Sequence, residues 1–261
     1  MKSVPFYIVL LVFLGISLPV QARAEYEIKP LLDIPLTISA GVVALFGSYR
    51  LNKMQVEAKP FESSSLLPWD KPFAGTWNPN AGTAVNAFTV LGLTPVALGV
   101  VGYFKQEVKG CELAALSLMF VQAMAIQSGL NLMTRSAKIW PRPFILGEDG
   151  GAERLKGEAY GSFYSGHSSA AFSVAVLTSV WFQNTYSSSR YTPYVWGASL
   201  SMATAIAVLR VAAGKHYPTD VLAGALVGSL VSIVVLKTHE RNNNVISLQA
   251  GPNYLGVTRH F

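Results

Sequence analysis

Residues 113–133 read LAALSLMFVQAMAIQSGLNLM and residues 221–236 read VLAGALVGSLVSIVVL, with no charged side chain in either stretch. The first is as long as the roughly 20 residues an α-helix needs to cross a bilayer. Both are rich in Leu, Ala and Met or in apolar β-branched residues, and neither contains proline. They read as helices whose solvent is lipid, because a membrane span must satisfy its backbone within itself. Outward from them, residues 83–104 form another run of spanning length, and residues 168–182 and 194–209 are shorter but also free of charge. A sixth stretch, residues 34–49, carries Pro35, Gly41 and Gly47 together with Thr and Ser. It is compatible with a span, a surface helix or a re-entrant segment. The predicted fold is therefore all-α, a transmembrane helix bundle of five to six spans.

Composition agrees with this reading. Of 261 residues, 51% are hydrophobic and 13% charged, against roughly 25% charged in a soluble domain. The net charge of +6 is spread over loops without dense Lys/Arg runs, so nucleic acid is not an expected partner. Cys111 is the only cysteine, which rules out an internal disulfide and a cysteine-based zinc site.

The chain divides into four parts. Residues 1–24 resemble a bacterial secretory signal: Lys2, an apolar run over residues 4–20, then Ala22-Arg23-Ala24. An uncleaved anchor is the competing reading. Residues 25–82 hold the possible short membrane helix and a polar connection containing Ser63-Ser64-Ser65. Residues 83–241 form the helical domain, and residues 242–261 are a C-terminal tail, read as a short strand or a disordered end.

Three loops at helix ends hold most of the polar chemistry. The first, residues 135–143, reads Arg-Ser-Ala-Lys-Ile-Trp-Pro-Arg-Pro. If Arg135 ends the preceding helix, Arg135 and Arg142 can point into one cavity, where guanidinium groups match phosphate oxygens bidentately. A lone arginine here would more simply anchor the helix at the interface. The second loop, residues 164–169, reads Tyr-Ser-Gly-His-Ser-Ser ahead of an apolar helix. Ser165 and the following backbone N–H groups then sit at a helix N-terminus, which favours an anion, and Gly166 allows close approach. His167 has a side chain suited to protonating a leaving oxygen; the plain alternative is a serine-rich cap with an incidental histidine. The third loop runs from Arg210 to Asp220 and contains Lys215-His216-Tyr217-Pro218. Pro218 suits the first turn of the next helix, placing Asp220 just inside it and within reach of His216. A histidine nucleophile needs that arrangement, with one nitrogen free and the other held by a carboxylate.

Taken together, these loops resemble the type 2 phosphatidic acid phosphatase superfamily, whose relatives include class A acid phosphatases and vanadium haloperoxidases. Arg142-Pro143, Ser165-Gly166-His167, and Arg210, His216 and Asp220 match its three motifs in order and spacing. Arg135 stands where the family has Lys, with Lys138 as the fallback; Tyr164 replaces Pro, and Leu209 replaces Ser.

The resemblance implies an antiparallel bundle with the active site at one membrane face. It also implies a hydrolase in which His216 attacks phosphorus, His167 protonates the leaving alcohol and Asp220 holds His216. Arg135, Arg142, Arg210, Ser165 and Gly166 would bind the phosphoryl group. A phosphohistidine would form and be hydrolysed, with no metal ion and no cofactor. The expected partners are a lipid phosphate substrate and the bilayer, and no protein partner is implied. A soluble periplasmic acid phosphatase and a vanadate-dependent haloperoxidase share the same residues and remain alternatives. Localisation is expected in the bacterial cell envelope, in the inner membrane. The site is expected to face the periplasm provided residues 34–49 do not span. His239 and His260 read as solvated side chains.

Overall fold

The computed structural model describes residues 26–53, 65–137, 140–241, 245–251 and 254–260. The signal-like segment, residues 54–64 of the polar connection and Lys138 lie outside them. Among the described residues the chain forms seven α-helices: α1 (Pro30–Asn52), α2 (Pro79–Thr89), α3 (Thr94–Phe104), α4 (Gly110–Arg135), α5 (Gly166–Thr185), α6 (Thr192–Ala212) and α7 (Pro218–His239). The tail is an antiparallel hairpin of β1 (Val245–Gly251) and β2 (Tyr254–His260), in register from Val245 opposite His260 to Gly251 opposite Tyr254.

Four helices, α1, α4, α6 and α7, are long and apolar enough to cross a membrane. α7 shows which way the bundle faces. Leu222, Leu226, Leu230 and Val234 recur every fourth residue and are exposed, while Gly224, Gly228 and Ser232 on the other side are buried. A helix in a water-soluble bundle would turn its leucines inward. This one turns small residues inward and leucines outward, as helices packed in lipid do.

The small residues set how closely α7 approaches α5. A Cβ placed on Gly224 would lie 2.5 Å from the Ser165 carbonyl oxygen, and one on Gly228 would lie 1.9 Å from that of Ser169. One turn further, Ser173 Oγ and Ser232 Oγ are 2.7 Å apart, and Ser232 Oγ donates to the Ser173 carbonyl at 2.8 Å. α5 is thereby held between α6, α7 and α4. Its buried Ser168, Ser169, Ser173, Thr178 and Ser179 explain its weaker apolar signal. The main hydrophobic core, with Leu116, Met119, Leu177, Trp181 and Leu236, lies toward the opposite end of the bundle from the motif loops.

Two expectations about helices change. Residues 83–104 are not one helix: α2 and α3 are separated by a 3-10 turn, Val90–Leu93, and Pro95 sits in the first turn of α3. Proline is accommodated at a helix start and disfavoured in a helix interior. Residues 34–49, in contrast, are unbroken. Pro35 lies inside α1, in its second turn, and the helix continues through it at the loss of one backbone hydrogen bond, and Gly47 is a contact residue. A Cβ there would lie 2.8 Å from Leu132 Cβ on α4.

His239 also departs from expectation, since it is fully buried. Its Nε2 lies 2.9 Å from Asp33 Oδ1 and its Nδ1 lies 2.8 Å from the Val235 carbonyl. Gln122 Nε2 on α4 donates to the same Asp33 oxygen at 3.2 Å, and Lys29 N donates to Oδ2 at 2.5 Å. A buried carboxylate in a membrane helix needs such partners, and these join α1, α4 and α7 at the end away from the motif loops. His260 belongs to β2.

Candidate active site

The site forms where the C-termini of α4 and α6 meet the N-termini of α5 and α7. Arg135 is the last residue of α4 and Arg210 lies in the last turn of α6. Helix C-termini carry partial negative charge, which favours basic residues there. The opposite ends of α5 and α7 supply N-termini, where backbone donors favour an anion. Arg142 stands between these elements, its backbone N donating to Ala159 O at 2.8 Å.

His216 is buried in the turn between α6 and α7. That turn needs Gly214 at φ +69°, where a Cβ would fall 1.8 Å from the Thr76 carbonyl oxygen. His216 Nδ1 lies 3.5 Å from Asp220 Oδ2. This is an ion-pair distance, but the geometry falls short of a hydrogen bond, and Nδ1 has no other partner among the described residues. Asp220 is held far more tightly than the ring. Its Oδ2 accepts from Ser162 Oγ at 2.5 Å and from Tyr217 N at 3.0 Å, and its Oδ1 accepts from Trp140 Nε1 at 3.1 Å. Burial, followed by the charges of Arg142, Arg210, Arg135 and then His167, keeps His216 well below the ordinary histidine range. The ring is therefore neutral near pH 7 and retains a lone pair for attack.

Ser165 caps α5, its Oγ accepting from Ser168 N at 3.4 Å, and its backbone N donates to the Asp220 carbonyl at 3.0 Å. This bond ties the second and third motifs together. Ser165 Oγ is used as a helix cap and is buried. Gly166 is required by packing, because a Cβ would lie 2.7 Å from Asn131 Oδ1. Asn131 itself donates to the Tyr164 carbonyl at 2.6 Å. His167 is exposed and lines a cavity of about 390 Å³ whose other walls are almost entirely apolar.

Arg135, Arg142 and Arg210 are within electrostatic reach of His216 and His167. Arg142 Nε and Arg210 Nε are buried without hydrogen-bond partners. Burial, with Arg135 and Arg210 alongside, pulls the Arg142 guanidinium down to about 9, so it stays charged near neutrality. Arg135 donates from Nε to the Gly161 carbonyl at 3.2 Å and meets Glu158 Oε2 at 3.4 Å. Two guanidinium groups with unpartnered Nε donors and a third held by Glu158, all within electrostatic reach of one neutral histidine, suit a phosphoryl dianion.

Several neighbours escaped sequence reasoning. Ser162, Trp140 and Glu158 belong to loops whose contacts no spacing reveals, although Trp140 lies inside the first motif loop. Asp70 comes from the polar connection: it is buried, accepts from Thr219 N at 3.1 Å and also bonds Thr219 Oγ1 at the start of α7. Lys215 Nζ sits 4.5 Å from the Trp77 ring centroid, 4.8 Å from that of Phe144 and 3.5 Å from Glu153 Oε2. Its ammonium is lowered, by burial first and by Arg142 second.

A bundle of apolar helices that gathers two histidines, a carboxylate and three arginines at one end defines a class of phosphate-handling enzyme with membrane-type helices. The family model of the PAP2 superfamily matches residues 112–244, just over half of the chain, and the chain belongs to that superfamily. It is accordingly a phosphatase-type enzyme. No curated protein and no solved structure matches the chain.

Proposed function

We propose that the protein is a membrane phosphatase that removes phosphate from a lipid monoester or diphosphate through a phosphohistidine on His216. Neutral His216 attacks phosphorus in line, and the bond from phosphorus to the leaving oxygen breaks. Burial and the arginine charges hold His167 down to about 4; the bound phosphoryl dianion offsets those charges, so His167 takes up a proton with the substrate and gives it to the leaving oxygen, and water then hydrolyses the phosphohistidine. Arg135, Arg142 and Arg210, with the N-terminus of α5, stabilise charge on the equatorial oxygens in both steps. Asp220 holds His216 and offsets the charge that develops on its ring.

The observation that carries the lipid reading is the apolar cavity opening from His167. On α5 it is lined by His167, Ala170, Ala171, Val174 and Thr178, and on α6 by Met202 and Ile206. From His167 to Thr178 the helix rises about 16 Å at 1.5 Å per residue, about half the roughly 30 Å hydrocarbon core. A leaving group with a hydrocarbon chain fits this wall, and a sugar phosphate does not use it. The outward leucines of α7 argue in the same direction against a soluble acid phosphatase. The test is release of inorganic phosphate from lipid phosphates and from p-nitrophenyl phosphate by the wild type and Ala171→Phe. The variant should lose lipid turnover and keep the soluble reaction; equal loss on both overturns the lipid reading. A halide-oxidation assay with added vanadate checks the haloperoxidase alternative.

The side that the site faces follows from α1. With a leader removed after Ala24, residue 26 starts outside, so an α1 that crosses carries the site to the cytoplasmic side. α1 packs alongside α4, with Gly47 against Leu132 and Asp33 beside Gln122, so we read it as crossing wherever α4 crosses. The unbroken helix removes the premise on which the periplasmic expectation stood. Single cysteines at Glu148 and Lys109, on opposite faces of the bundle, in a Cys111→Ser background read the side directly with an impermeant reagent. Labelling of Glu148→Cys alone in intact spheroplasts gives the periplasm, and labelling of Lys109→Cys alone gives the cytoplasm.

A further inference from the structure

The segment from residue 157 to residue 162 is stitched to the site by its backbone and by Ser162. Arg142 N donates to Ala159 O at 2.8 Å, Arg135 Nε donates to Gly161 O at 3.2 Å, Ser162 N donates to Trp140 O at 2.9 Å, and Ser162 Oγ bonds Asp220. Ala159 and Ser162 are buried, and a Cβ on Gly161 would lie 2.4 Å from the Arg135 carbonyl oxygen. Glu158 is on this fixed backbone, yet its side chain is 50% exposed while that of its partner Arg135 is 14% exposed. The contact between them is long, 3.4 Å from Oε2 to the guanidinium. Glu158 also acts electrostatically on Arg142 and Arg210. One carboxylate thus pairs with Arg135 and lies within electrostatic reach of Arg142 and Arg210, its backbone tied to the motif loops and its side chain half-exposed.

We propose that Glu158 is a displaceable counter-ion: its carboxylate neutralises the arginine cluster of the resting site and is pushed aside by the substrate's phosphoryl group. This rests on the reading of Arg135, Arg142 and Arg210 as the phosphate seat. Three cations crowded at a helix-rich end repel one another when nothing neutralises them. Glu158 relieves that repulsion, and it competes with any anion for Arg135. A phosphate dianion gains bidentate contacts to several guanidinium groups and displaces the carboxylate, whereas a singly charged anion gains less. After hydrolysis the returning carboxylate assists departure of orthophosphate, so Glu158 sets anion selectivity and product release without touching the reacting atoms.

The probe is orthophosphate, titrated calorimetrically into the full chain in detergent. Glu158→Gln should bind orthophosphate about five-fold more tightly, the upper end of what a half-exposed ion pair is worth. Glu158→Asp should stay near wild type, and Glu148→Gln, an exposed carboxylate on the same face, should change nothing. With p-nitrophenyl phosphate, KM and the product inhibition constant of Glu158→Gln should fall together while kcat does not rise. A merely structural role would lower the thermal midpoint and leave this split unseen; Glu158→Thr repeats the test with a different side chain. Unchanged or weaker orthophosphate binding in a folded Glu158→Gln protein overturns the proposal, as does a wild type that binds no orthophosphate. A wild type that binds orthophosphate with the expected Glu158 dependence, yet hydrolyses no phosphoester, supports the counter-ion and overturns the phosphatase reading.

Discussion

Replacing Gly228 by alanine should inactivate the enzyme from a distance. The new Cβ would lie 1.9 Å from the Ser169 carbonyl oxygen and 2.7 Å from its carbon. Both atoms are backbone, so no rotamer change relieves the clash, and α5 and α7 must part by roughly 1.5 Å to reach ordinary contact. The two helices carry opposite halves of the site: Ser165 and His167 on α5, Asp220 on α7. The 3.0 Å bond from Ser165 N to the Asp220 carbonyl spans the same gap and would open. Overpacking of this kind costs about 1–3 kcal/mol, and misplacement of reacting groups by about 1 Å costs about 10²-fold in rate. The assay is kcat for p-nitrophenyl phosphate together with the thermal midpoint in detergent. Gly41→Ala is the control: nothing lies within 4 Å of its added Cβ, so it should keep full activity and gain up to about 1 kcal/mol of helix propensity. A Gly228→Ala protein with wild-type kcat would show that the approach of α5 to α7 does not set the site's geometry.

Three further outcomes are expected. His216→Ala should abolish turnover, while His167→Ala should lose about 10² to 10⁴-fold on lipid phosphates and much less on p-nitrophenyl phosphate, whose leaving group needs no proton; equal loss on both reverses the assignment. Because burial and three arginines hold His216 below the ordinary histidine range, the acid limb of kcat/KM should fall below about pH 6.5. The unfolded chain takes up the His216 proton first as pH drops, so this residue's contribution also erodes stability below that pH and leaves it unchanged above; an inflection at or above pH 6.5 contradicts this. Asp33→Leu should destabilise the fold by about 1–3 kcal/mol, because it leaves buried Gln122 Nε2 and Lys29 N without their carboxylate acceptor, with KM unaltered; a wild-type thermal midpoint would show that the Asp33 contacts carry no stability.

The places of the motif residues on the fold were legible because each motif is local. Ser165, Gly166 and His167 are consecutive, and His216 and Asp220 are one helical turn apart, so spacing alone places each group at a helix end. Two carboxylates near the motifs were not legible: Asp70, bonded to Thr219, and Glu158, paired with Arg135, meet them only through tertiary contacts from loops without a periodic pattern. Proline and glycine in the apolar runs misled in both directions. Pro95 falls at the break in residues 83–104, whereas α1 runs on through Pro35 and Gly47, because a single proline removes one backbone hydrogen bond and a glycine between helices gains contact. His239 was misjudged from its charged sequence neighbours, Lys237 and Glu240, which point to solvent while the ring turns inward to a residue far away in the chain. The alternation of exposed leucines with buried Gly224 and Gly228 was present in the sequence, and its meaning depended on knowing which side faces lipid.

Tyr26 and Glu240 pair as an isolated antiparallel bridge, and Asn184 at the end of α5 donates to the Tyr26 hydroxyl at 2.8 Å. Both residues lie at the end of the bundle away from His216, so the chain enters and leaves the helical body side by side. Where the long apolar helices cross a bilayer, a reporter joined before residue 26 or after residue 241 would therefore mark the side opposite His216.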